Sequence, residues 1–165
     1  MLIDVSYFTA GPRQILNATL GKGTPKENVV IEQYIAEYQE EFLCRVLGSK
    51  VGNAVHEYLD DLENSPEADN DKDMDALCAK LRKPFADYVF FYILRDAGQS
   101  ATITGVVRLK CANEYVEPIV RQVTTWNRMA NNLNLFAEWV DNGECPISGI
   151  VIDEYMLKPI NRFNL

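Results

Sequence analysis

The chain has 165 residues, 47% of them hydrophobic, and a formal net charge of −8. This length suits one domain with a proper core, and the composition argues against a disordered chain. The longest strongly apolar run, residues 88–94 (YVFFYIL), is far shorter than the ~20 residues needed to cross a bilayer, so no membrane contact is expected. The N-terminus lacks the basic start and apolar stretch of a signal peptide, which predicts assembly in the cytosol. The 24 acidic against 16 basic residues argue against a protein that wraps nucleic acid, because phosphate neutralisation requires Lys and Arg.

The first 24 residues are predicted to form an extended N-terminal arm. Gly11, Pro12, Gly21 and Gly23 interrupt any longer pattern, so the arm has room for about one helical turn. A helical domain is predicted to follow over residues 25–143.

The first two helices of this domain have clear ends. Helix 1 is predicted to start at Pro25, with Thr24 as its cap, and to end at Gly48. Its apolar residues recur at helical spacing from Val30 to Val46, and glutamates occupy the opposite face. Helix 2 is predicted to start at Ser49 and to end in the acidic loop 63–73.

Helices 3 and 4 are predicted to form the centre of the domain. Helix 3 spans residues 74–98 and is apolar nearly all round after Pro84, which either kinks it or starts a new helix. Helix 4 spans residues 113–141 and ends before Gly143. Six residues are predicted as core anchors between these two helices: Phe85, Val89, Ile93, Trp126, Leu133 and Phe136. The expected fold is therefore mainly α, a four-helix bundle-like domain.

A small β excursion is expected between helices 3 and 4, in the insert 99–110. Ile103 and Val107 alternate with more polar residues, which is typical of a strand, and Gly105 can bend or bulge it. A surface loop is the alternative interpretation. Residues 144–165 are predicted to form an extended C-terminal tail, because Pro146, Gly149 and Pro159 exclude a long helix. Within this tail, residues 149–157 (GIVIDEYML) are a candidate strand.

The arm, the insert and the tail have no core of their own, so we expect them to become ordered by contact with neighbouring chains. Eight residues in these segments are candidate interface residues: Tyr7, Phe8, Ile103, Val107, Ile150, Ile152, Tyr155 and Phe163.

The motifs that would indicate chemistry are missing or incomplete. Residues 69–75 (DNDKDMD) imitate a calcium loop, but Met74 and Lys80 stand where an EF-hand requires Gly and Glu. His56 has no Ser, Cys or second His organised around it. The cysteines include no CxxC pair and are interpreted as reduced thiols: Cys44, Cys78, Cys111 and Cys145. We therefore expect no enzymatic activity, no catalytic residue, no cofactor and no metal.

The order of these elements resembles the head–tail connector (adaptor) proteins of tailed bacteriophages, in the version found in phages and prophages of Bacteroidetes. The similar segments are the helix junction FLCRVLGSKV, the arm YFTAGP, the turn TGVV and the segment WNRM, and they span most of residues 1–142. The resemblance implies a helical virion subunit that forms a ring, typically twelvefold, beneath the portal protein in the neck. The same resemblance implies contacts with the portal and with further neck or tail proteins, and only passive contact with the genomic duplex DNA. The alternative is a soluble helical adaptor or regulatory module that recognises one protein partner without enzymatic activity.

Overall fold

The computed structural model describes residues 1–15, 18, 26–64, 71–96, 99–102, 105–108 and 119–163, with the backbone alone for 26–27, 99–102 and 105–108. The chain is mainly helical, as predicted. Its helices are α1 (Lys26–Leu47), α2 (Ser49–Asn64), α3 (Lys72–Asp96), α4 (Ile119–Asp141) and the short α5 (Glu154–Leu157), and two 3-10 turns lie in the arm, at Val5–Phe8 and Gly11–Arg13. Strands β1 (Gln99–Thr102) and β2 (Gly105–Arg108) form an antiparallel pair in which Gln99 is opposite Arg108.

Helices α1 and α2 form an antiparallel pair joined by a single residue, Gly48. Its φ of 78° is a conformation that favours glycine, so α1 ends and α2 begins within one residue. Gly52 then allows the two helices to touch, because a Cβ there would lie 2.8 Å from the backbone carbonyl of Leu43. Two side-chain contacts fix the register: Cys44 Sγ donates to Asn53 Oδ1, and Gln39 Nε2 lies 3.3 Å from His56 Nδ1.

Helix α3 is the central element, because α1 packs on one side of its second half and α4 on the other. Residues 84–91 are all buried, as expected for a helix that is apolar nearly all round. Pro84 does not start a new helix, since α3 continues through it. The rings of Phe42 and Phe85, 5.0 Å apart, join α1 to α3, and the Arg128–Asp87 ion pair joins α4 to α3.

Four of the six predicted core anchors are buried: Phe85, Val89, Leu133 and Phe136. The other two, Ile93 and Trp126, pack against the core but are only partly buried. Trp126 contacts the ring of Phe91 and uses its indole N–H in a contact with the tail.

The arm packs on its own chain, which differs from the prediction that it docks on neighbouring chains. Leu2, Ile3, Val5 and Phe8 all belong to the buried cluster of the helical domain. The 3-10 turn Val5–Phe8 is capped by the Asp4 carboxylate, and its buried residues Val5 and Phe8 pack into the core of the same chain.

The tail is not a strand over residues 149–157, so that prediction is also wrong. Its backbone N–H groups bond the end of a helix instead: Val151 N donates to Leu47 O, and Asp153 N donates to Arg45 O. The last carbonyls of a helix have no partner within it, and the tail satisfies two of them in α1. Asp153 then caps α5, because its carboxylate accepts a hydrogen bond from Tyr155 N.

Several predictions fall on positions outside the described residues, namely the cap residues 24–25, most of the acidic loop, Ile103, Cys111 and the first turns of helix 4 at 113–118. Among the helices that are described, none is long and apolar enough to cross a membrane.

Candidate assembly surface

The C-terminal tail is the candidate functional surface, and an ion pair fixes its first half. Arg45 Nε and Nη2 donate to Asp153 Oδ2 at 2.9 and 2.8 Å, so one carboxylate oxygen holds the end of α1 against the tail. Partial burial raises the pKa of Asp153, but hydrogen bonds from Tyr155 N and Arg45 outweigh this effect and hold the pKa below its ordinary value. The pair is therefore fully formed at neutral pH.

The second half of the tail lies along α4 and is held by side chains that bond its backbone. Asn127 makes two such bonds to Ile160, with Nδ2 donating to O at 3.0 Å and Oδ1 accepting from N at 2.8 Å. Trp126 Nε1 donates to Lys158 O at 3.0 Å, and Asn134 Nδ2 donates to Leu157 O at 3.0 Å. Because the partners of these side chains are backbone atoms, α4 fixes the path of the tail whatever side chains the tail carries.

Three apolar side chains of the tail point into solvent, and we call them the outer tail face: Val151, Tyr155 and Phe163. Their exposed fractions are 68%, 72% and 97%. The Asn161 carboxamide accepts from Phe163 N at 2.8 Å and closes a local turn that presents the ring. Side chains of this kind, on a rigidly docked segment, are typical anchors of protein–protein contacts.

The predicted interface residues divide into two groups. Tyr155 and Phe163 are exposed, whereas Ile150 and Ile152 are partly buried against the chain's own core. Phe8 is 0% exposed, so the prediction that it contacts another chain is wrong, and Tyr7 is partly buried beside it. Val107 lies in β2 opposite Ser100, where only the backbone is described.

A buried carboxylate joins the arm to α3 and α4. Asp87 is 0% exposed, and Arg128 donates to both of its oxygens. Arg13 of the arm lies 3.4 Å from the same carboxylate. Arg121 adds a bond to Gln14 O and lies over the ring of Phe90. This cluster was not predicted from the sequence, although an Asp within the apolar stretch ADYVFFYIL is itself a signal, because a buried charge requires a partner.

Tyr34 and Tyr88 have raised pKa values and act as hydrogen-bond donors. Burial and the contact with Asp96 raise the pKa of Tyr34 to about 12. Burial, together with hydrogen bonds to Tyr92 and Glu41, raises the pKa of Tyr88 further. Both groups stay neutral at physiological pH, and Tyr88 donates to Glu41 Oε1 at 2.9 Å, which ties α3 to α1.

The contacts of His56 and Cys78 indicate structural roles. His56 Nδ1 lies between Gln39 Nε2 and Asp60, and Gln39 accepts from Leu2 N, so this contact belongs to the docking of the arm. Burial raises the pKa of Cys78 to about 11, which makes its thiolate rare at neutral pH. In the described part of the chain, no group of three or more His, Cys, Asp or Glu side chains is arranged to hold a metal ion.

No protein-family model matches this chain, and neither a curated protein nor a solved structure matches it.

Proposed function

We propose that this protein is a structural subunit of a bacteriophage virion neck, where it forms an oligomeric ring that joins the portal to the tail. The proposal rests on the sequence resemblance to head–tail connector proteins. In this role the protein binds other proteins, catalyses no reaction and takes no cofactor.

One structural observation supports the proposal most directly. The segment FLCRVLGSKV, which resembles the helix junction of connector proteins, forms the one-residue junction between α1 and α2 at Gly48. The tail docks on this junction, since the Cβ of Val151 lies 3.3 Å from the position of a Cβ on Gly48. The junction thus holds Val151 of the outer tail face in a fixed position, as a subunit that joins two other proteins requires.

The charge of the chain is compatible with a conduit for DNA. A channel through which a genome passes must not hold phosphates tightly, and a net charge of −8 per subunit disfavours counterion-release sites. We expect the isolated protein to show negligible affinity for duplex DNA in a mobility-shift assay at ~150 mM salt. Micromolar binding with a steep salt dependence would argue against a passive channel.

The decisive experiment is a deletion of this coding sequence from the phage or prophage that carries it. We expect electron microscopy to show heads separate from tails, because a missing neck subunit leaves the portal without its adaptor. Supplying the wild-type protein in trans should restore joined particles, whereas supplying the Tyr155→Ala/Phe163→Ala double variant should not. Both side chains are exposed, so the variant should fold normally.

Normal, infectious particles after deletion would refute the proposal. A purified chain that binds a single partner of a pathway unrelated to virion assembly would favour the alternative, a soluble adaptor or regulatory module.

A further inference from the structure

The outer side of the α1–α2 pair carries an acidic face, formed by four exposed carboxylates: Glu37, Glu40, Glu57 and Asp61. Cys44 touches Asn53 across the pair, and Glu40 and Glu57 lie one helical turn further along from those two residues. Like charges therefore face each other across the groove between the helices. None of the four carboxylates takes part in an ion pair within the described residues. Such a cluster costs folding free energy unless a cation approaches from outside.

The outer side of α3 carries the opposite charge where it borders α4. Residues 76–86 (ALCAKLRKPFA) contain three basic residues and no acidic one, and Lys80 and Lys83 are exposed. The Nζ atom of Lys80 lies 5.3 Å above the ring of Trp139, and Leu135, one turn earlier in α4, is 63% exposed. We call this mixed surface the lysine seam: Lys80, Lys83, Leu135 and Trp139. An apolar centre with a charged rim is the usual composition of a protein–protein contact.

The two surfaces point in opposite directions. Phe42 of α1 and Phe85 of α3 meet in the core, with ring centroids 5.0 Å apart. Glu40 precedes Phe42 by two residues, and Lys83 precedes Phe85 by two residues. Two residues correspond to a rotation of about 200° around the helix axis. Each side chain therefore leaves its helix on the side away from the shared core. The acidic face of one copy can meet the lysine seam of a second copy, but no copy can join its own two surfaces.

We propose that the lysine seam of one copy docks on the acidic face of the next copy. A second copy fits because the two surfaces are complementary in charge. A contact between two different surfaces of identical chains is heterologous, and repetition of it builds a ring if the rotation closes. The proposal of this contact rests on the proposed neck ring, but the contact itself can be tested with the purified chain in solution.

Charge reversal on each surface tests the contact. The seam variant is Lys80→Glu/Lys83→Glu, and the face variant is Glu40→Lys/Glu57→Lys. Sedimentation velocity of the wild-type chain should show concentration-dependent self-association at low salt that weakens as salt screens the charges. Each variant alone should lose ~10-fold or more in association constant, because like charges then oppose each other. An equimolar mixture of the two variants should associate again, since every acidic surface finds a basic one on the other chain.

A matched control keeps the change in net charge and moves its position. Lys50→Glu/Lys72→Glu also replaces two exposed lysines by glutamates, but neither residue lies in the seam. This control should associate like the wild type, and helical circular dichroism and the urea midpoint should show that every variant is folded.

Three results would overturn the contact: a monomeric wild-type chain at all concentrations, variants that associate like the wild type, or a mixture that stays monomeric. These results do not decide whether the protein is a neck subunit, which is tested separately. A chain that occurs in the neck but is monomeric when free refutes only this contact, and a chain that associates through these surfaces but is absent from particles refutes only the neck.

Discussion

The burial of Phe8 leads to a direct test of the arm, because the chain offers a matched pair of identical substitutions. Phe8 and Phe163 were both predicted from the sequence to contact other chains, yet one is 0% and the other 97% exposed. Phe8→Ala should destabilise the isolated chain strongly, and Phe163→Ala should leave its stability unchanged.

The magnitude follows from the burial. Removing a fully buried phenyl group costs ~3–5 kcal/mol, through lost transfer free energy and the cavity that remains. That is a large share of the ~5–15 kcal/mol that holds an ordinary domain together. With a urea m-value of ~2 kcal/mol/M, a loss of ~4 kcal/mol lowers the unfolding midpoint by about 2 M. Phe163→Ala removes no described core contact, so its effect should stay within ~0.5 kcal/mol.

Urea unfolding followed by circular dichroism at 222 nm measures both effects on the same protein preparation. The m-value should stay constant, since a changed m-value would report altered compactness of the end states. If Phe8→Ala unfolded at the same urea concentration as Phe163→Ala, the arm would not be part of the core in solution. The sequence-based expectation of an arm that docks on neighbouring chains would then return.

Three further substitutions test the contacts that position the tail and the helix junction. Gly52→Ala should lower the free energy of unfolding in urea by ~1–3 kcal/mol, because the new Cβ would lie 2.8 Å from the backbone carbonyl of Leu43. An unchanged free energy of unfolding would mean that α1 and α2 can move apart freely. Trp126→Phe keeps an aromatic ring but loses the hydrogen bond to Lys158 O, so it should lower the free energy of unfolding by ~0.5–1.5 kcal/mol. Truncation of a fully buried aromatic side chain costs ~3–5 kcal/mol, so a loss of that size would indicate that Trp126 is completely buried. The pKa of Asp153 is lower in the folded chain than in the unfolded chain. The ionised carboxylate therefore stabilises the fold at a pH above its unfolded-state pKa, and this stabilisation is lost as the pH falls through the folded-state pKa. Trp126 fluorescence should therefore report tail release at acidic pH, and Asp153→Asn should remove that part of the pH dependence; an unchanged acid transition in this variant would assign it to another carboxylate.

The helices could be predicted well from the sequence, because their signals are local. The junction at Gly48 was predicted to the residue, since glycine ends one helix and Ser49 begins the next. Helix 3 was predicted within two residues at each end. Its burial was also predictable, because a segment that is apolar all round can only be stable when other elements surround it.

The arm could not be predicted in the same way, because its burial depends on distant partners. Its apolar residues are interrupted by Asp4 and Ser6 and follow neither a helical nor a strand period. The contacts that hold it come from far along the chain: Gln39 accepts from Leu2 N, and the carboxylate of Asp87 pairs with Arg13. A sequence pattern reports local periodicity and contains no information on such pairs.

The tail shows how one pattern permits two structures. The alternation in GIVIDEYML fits a strand, but the same segment contains an Asp-Glu pair that fits a helix start, and Asp153 acts as that cap. The choice depends on which acceptors the tail N–H groups find, and here they find the free carbonyls at the end of α1. Tertiary contact therefore decides between two local propensities that are nearly balanced.

The uneven distribution of charge changes what the acidity of the chain implies for a ring. The net charge of −8 was interpreted from the sequence as evidence against a protein that wraps nucleic acid. Much of it lies on α1 and α2, and if the acidic face is covered by the lysine seam of the next copy, those carboxylates stabilise the contact between copies. In the proposed ring they would then lie outside the channel, and the charge that DNA meets would come from other segments. Charge reversal within the acidic face should therefore alter assembly without creating a site for DNA, whereas lysines added to the segments that line the channel should slow or arrest the passage of the genome.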